Sequence, residues 1–110
     1  MKKNLKDIQL VPTEHPESMK RVLLAKENSQ TNISQIAIFE MKAGESSAQH
    51  RHWGIEEFLL VLEGEAEISV DSETQVFQPN DFVTVNFALN HSLRAITHCK
   101  ILSVGCKVNQ

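Results

Sequence analysis

Alternation of apolar and polar positions with a period of two dominates the chain from residue 19 onward. The segment "EAEISVD" (65–71) is the cleanest case: Ala66, Ile68 and Val70 share one face, and Glu65, Glu67 and Ser69 the other. That is the pattern of a half-exposed strand. "MKRVLLAKE", "NISQIAIFEMKAGE", "EEFLLVLEG", "TQVFQ", "DFVTVN", "HSLRAI" and "CKILSVGCKV" predict further strands, rich in β-branched and aromatic residues. "DSET" and "QPND" read as turns, with another at Gly44, and "AQHRHW" is short and polar. No segment holds a helical period over ten residues. Short strands at regular spacing predict an all-β sandwich or barrel. Residues 1–18, with Pro12 and Pro16, predict an irregular or edge-strand arm. The expected organisation is one domain: 1–30 as the arm and first strand, packed on the barrel or on a dimer partner, and 31–110 as the barrel.

One strand is apolar on both faces. Leu59 and Val61 lie on one side, and Phe58, Leu60 and Leu62 on the other. "QIAIFEM" behaves similarly. In a small barrel only one face of a strand points inward, so the second needs a cover. A second copy of the chain is the expected cover, with the protein's own loop as the alternative.

Composition narrows the partners. The chain has 110 residues and a formal charge of −3, with a pI near 5.9. No basic face is visible for nucleic acid. No run approaches the roughly 18 apolar residues of a membrane span, and "MKKNLKDIQLVPTEHPE" lacks the apolar core of a signal peptide. Cys99 and Cys106 lie seven apart, an odd separation that puts them on opposite faces of a strand. Both read as reduced thiols, and a cytoplasmic location is expected.

Candidate chemistry concentrates between Gly44 and Gly64. His50 and His52 stand at i and i+2, so on an extended strand both imidazoles project to the same face, where they can converge on one metal ion. Alone, such a pair is equally two surface histidines. Four residues then precede Glu57, and six more precede Gly64. This run resembles the first conserved motif of the cupin superfamily. "NDFVTVNFALNHSLRA" (80–95) resembles the second, with Asp81 and His91 kept; Asn80 and Ala88 stand at glycine positions, Asn86 at the proline and Ala95 at the asparagine. Asn tolerates a left-handed turn almost as Gly does, so the first of these departures changes turn chemistry rather than ligands.

The resemblance implies a single jelly-roll β-barrel with a divalent metal held by His50, His52, Glu57 and His91. Three imidazoles and one carboxylate suit Fe, Ni, Cu or Zn, and the carboxylate adds tolerance for Mn. Small cupins include isomerase-like enzymes and oxygenases as well as non-catalytic binding modules. A metal-dependent enzyme acting on a small polar metabolite is the expected function, with a binding module as the alternative. No catalytic residue beyond the metal ligands is assigned, since the chain has no tyrosine and Glu56 has the opposite parity to Glu57.

Other reactive residues read as bystanders. His15 lies in a Pro-flanked loop. His98 and Cys99 are adjacent, so they face opposite ways on a strand and form no dyad. Arg51 and Arg94 are out of phase with the neighbouring histidines and read as solvated. Trp53 fits a pocket mouth and a core equally well.

Overall fold

The alternating segments pair into two antiparallel sheets. The computed structural model describes residues 2–13, 18–50, 54–86 and 90–108, with backbone only for 48–50. The first sheet runs in the order β1 (Leu10–Pro12), β2 (Ser18–Ala25), β3 (Ile33–Met41), β10 (Cys99–Lys107), β5 (Ile55–Glu63), β8 (Phe82–Val85). The second runs β4 (Ser46–His50), β9 (His91–Ala95), β6 (Ala66–Val70), β7 (Glu73–Phe77). Short 3-10 turns at Leu5–Asp7 and Lys26–Asn28 are the helical elements among the described residues. The two facing sheets with these crossovers are the predicted jelly roll. No helix among the described residues is long and apolar enough to cross a membrane.

Strand parity sorts the core as the pattern predicts. Leu59 and Val61 of β5 point between the sheets, as do Val85 of β8 and Ile101 of β10. Ala66 and Ile68 of β6 meet them from the second sheet, with Ala95 of β9. Burying each large aliphatic side chain contributes about 1.5–3 kcal/mol, and these residues form one contiguous cluster. Cys99 is wholly buried in it, which pushes its thiol up from the usual range. Cys106 sits seven residues on, half-buried, and both thiols are free.

The opposite face of the first sheet stays apolar. Phe58 of β5 stacks on Phe82 of β8, with centroids 6.4 Å apart and rings 12° from parallel. Phe82 is nevertheless 58% exposed and Leu62 39%. Leu60 and Leu102 are direct cross-strand partners, as are Phe58 and Val104, so the stripe crosses from β8 onto β10. Further along, the arm provides some cover. Arg21, opposite Ile38, donates to Glu40 at 3.1 Å and to the Ile8 carbonyl. Ile38 there is 7% exposed.

One turn fixes the entry into β8, the strand beside Glu57. Asn80, in the motif's glycine position, has φ of 78°. Its N–H donates to the Val61 carbonyl at 2.8 Å, and the Asp81 carboxylate accepts from the Gln78 N–H at 2.8 Å. The short polar side chain of Asn therefore replaces glycine without losing the turn.

Candidate functional site

Between the sheets, beside the apolar cluster, lies a cavity of about 330 Å³. On β5 it is lined by Ile55, Glu57 and Leu59, alternate residues of one face, while Glu56 and Phe58 do not reach it. Glu57 stands between Val85 of β8 and Gly105 of β10. At Gly105 an added Cβ would lie 2.6 Å from the Ser34 hydroxyl, which would have to turn aside. The strand beside Glu57 presents only backbone there.

His91 enters from the second sheet. β9 lies between β4 and β6, with His91 opposite both His50 and Val70. Two devices set its position. Asp71, at φ 54°, donates from its N–H to the Asn90 carbonyl at 2.8 Å and accepts from the Asn90 N–H at its carboxylate, 3.3 Å away. Two residues beyond His91, the Leu93 N–H donates to the Ser47 hydroxyl at 3.1 Å, tying β9 to β4. His91 is 6% exposed, and its Nε2 lies 3.8 Å from Glu57 Oε1.

That separation tests whether a metal fits. Two ligand atoms held about 2.1 Å from one ion lie roughly 3.0–3.4 Å apart at octahedral or tetrahedral angles. The observed 3.8 Å exceeds this by under an ångström, within reach of small side-chain rotations. An imidazole and a carboxylate meeting at one cavity wall suit a borderline divalent cation. The two fit.

The other expected ligands are less fully placed. The His50 backbone lies directly opposite His91, within the roughly 4.5–5.5 Å of cross-strand partners. Its side chain, and all of Arg51, His52 and Trp53, lie outside the described residues, as does His15. Among the described residues no three His, Cys, Asp or Glu side chains gather as a metal site. Arg94 is directed away from the cavity, to Glu67 at 2.6 Å with about half its side chain exposed.

The far wall holds residues that the sequence did not single out. Ser18 and Lys20 of β2 line the same cavity, as does Gln35 of β3. Lys20 Nζ donates to Gln35 Oε1 at 3.2 Å. Nothing in "MKRVLL" separates a cavity lysine from a surface one. The available signal was its parity with Val22, which becomes informative only once β2 is known to lie inside the sheet.

Comparisons with known proteins agree with this architecture. A family model described as "Cupin domain" matches residues 37–105, more than half of the chain. A search of the curated proteins finds no match. Among solved structures, a predicted oxalate decarboxylase from Thermotoga maritima superposes with a TM-score of 0.90 at 19% identity, covering 98% of this chain and all of that one. Ectoine synthase from P. lautus gives 0.83 at 22% identity, covering 100% and 80%. A polyketide cyclase from Streptomyces resistomycificus gives 0.84 at 18%, covering 96% and 78%. At such identities these likenesses speak for the fold alone. With a family match through both motif-bearing strands and a jelly roll around the cavity, the chain belongs to the cupin domain family.

Proposed function

We propose that the protein is a divalent-metal-dependent enzyme that acts on a small polar metabolite held in the cavity between its sheets. The observation that carries this reading is the convergence of Glu57 and His91, from different sheets, at the wall of one cavity. In this reading His50, His52, Glu57 and His91 hold the ion. When bound, the ion supplies Lewis-acid polarisation of a substrate oxygen. Glu57 contributes the anionic ligand, and Leu59 and Leu93 add apolar wall to the same cavity. Isomerisation and oxygenation are both within the reach of such a ligand set, and the metal's identity separates them.

The experiment is elemental analysis of protein purified without a histidine tag, followed by a turnover screen with the ion found. About one Fe, Mn, Ni, Zn or Cu per chain is expected. Iron directs the screen to oxygen uptake; zinc or manganese directs it to isomerisation. Stoichiometric metal with no turnover would replace the enzyme by a binding module. Absence of metal after reconstitution would overturn the reading.

The same proposal includes a homodimer through the Phe58–Phe82 face of the first sheet. An apolar stripe across β8, β5 and β10 with Phe82 and Leu62 open supports it. Light scattering at micromolar concentration is expected to give twice the chain mass, and Phe82→Asp to give the single-chain mass with unchanged circular dichroism. Phe82 is already largely exposed, so the charge there leaves the fold intact. A wild-type monomer would remove the dimer.

A further inference from the structure

The cavity has two chemically different ends. Glu57 and His91 occupy one. At the other, Lys20 is the only lysine or arginine that lines the cavity among the described residues, and its side chain donates to a neutral group, the Gln35 amide oxygen. Lys20 is half-buried on the inner face of the sheet, where a lysine is an uncommon wall residue. The one amide oxygen at 3.2 Å is a weak substitute for a counter-charge.

Register places this amine relative to the metal-fitting pair. Lys20 is opposite Phe39, yet its amine reaches along the sheet to Gln35. Gln35 is opposite Gly105, and Gly105 is opposite Glu57. Gln35 and Glu57 thus stand two strand spacings apart, roughly 10 Å between backbones. Gly105 between them extends no side chain across that interval.

We infer that Lys20, with Gln35, binds the carboxylate of a short-chain organic acid whose other end lies at Glu57 and His91. The inference rests on the reading of this cavity as the ligand site and adds the class of ligand. Lys20 supplies one positive charge, and the Gln35 amide, with its oxygen turned to Lys20, adds an N–H donor. The Ser18 hydroxyl lies on the same wall, 2.6 Å from that of Thr13. One ammonium with neutral donors matches a monoanionic carboxylate. A phosphate is the poorer match: no arginine lines the cavity among the described residues, and no α-helix N-terminus faces it.

The test is an amide NMR titration of chelator-treated, metal-free protein with the monoanion 4-hydroxybutyrate, with uncharged 4-hydroxybutyramide and with inorganic phosphate. The hydroxybutyrate is expected to move the Lys20 and Gln35 resonances saturably, the amide to leave them in place, and phosphate to act only at higher concentration. Lys20→Met should raise the hydroxybutyrate Kd by at least about tenfold, and Lys20→Arg should keep it within about threefold. Metal affinity of Lys20→Met should equal that of the wild type. Unsaturable or absent shifts, equal hydroxybutyrate binding by Lys20→Met, or tighter binding of phosphate would each overturn the assignment. Loss of metal affinity in Lys20→Met would do so too, by making Lys20 a prop for the site. Because the titration uses no metal, failure of the metal reading shows separately, as absent metal uptake with hydroxybutyrate binding intact.

Discussion

Glu57→Gln is expected to lower divalent-metal affinity by at least about tenfold, while Glu56→Gln leaves it within about twofold. Even groups that merely orient a ligand are worth 10–100-fold in affinity, so loss of an anionic ligand should reach that range. The two glutamates are adjacent and chemically identical; strand parity alone separates them. Glu57 shares the cavity face with Ile55 and Leu59 and lies 3.8 Å from His91 Nε2. Glu56 shares the other face with Phe58 and is opposite Cys106. Gln keeps the volume and hydrogen-bonding capacity of Glu, so the fold should survive. Calorimetric titration of both variants with one divalent ion is the measurement. Loss of metal in Glu56→Gln but not in Glu57→Gln would mean that the ion binds elsewhere.

Gly64→Ala is expected to destabilise the protein by more than about 3 kcal/mol, whereas Gly54→Ala costs about 1–2 kcal/mol. Both glycines have left-handed backbones, with φ of 78° and 77°. Around Gly54 an added Cβ would meet nothing within 4 Å. At Gly64 it would fall 2.0 Å from the His98 carbonyl oxygen and 2.9 Å from Thr97 Oγ1. That segment cannot retreat freely. The N–H groups of Ile96 and Thr97 both donate to the Glu65 carbonyl, and the Glu65 N–H donates to Thr97 Oγ1. The second glycine of the first motif is therefore a packing requirement between the β5–β6 turn and the segment leading into β10. Urea midpoints at unchanged m-value would check the difference. Equal midpoints for the two variants would show that the 97–98 segment yields.

The faces of the strands were legible because period two is a strong local signal. Ala66 and Ile68 are buried as their alternation demands; on β5, apolar on both faces, parity could not choose, and the motif position put Glu57 rather than Glu56 on the cavity side with Leu59. The turn at Asn80 was legible for a similarly local reason, since few side chains tolerate its φ. Neighbour relations were not. Alternation says which residues share a face but not which strands pair, so the place of β2 inside the sheet left no trace in "MKRVLL". Register shifts between Val22 and Leu24, and again at Gly105/Cys106, further break any extrapolation of parity. Lys20 was missed for that reason. Glu57 and His91 are 34 positions apart, and only the motif resemblance linked them.

The strand order has a consequence for how the chain is made. β10, the last strand in sequence, lies between β3 and β5. Until residues 99–107 have left the ribosome, β3 and β5 each lack a neighbour, and both carry apolar residues on two faces. Before β10 emerges, the strands on either side of it form two unjoined groups with open hydrogen-bonding edges, the condition under which β proteins aggregate. Closure is a single insertion, and the wall carrying Glu57 is complete only when it occurs.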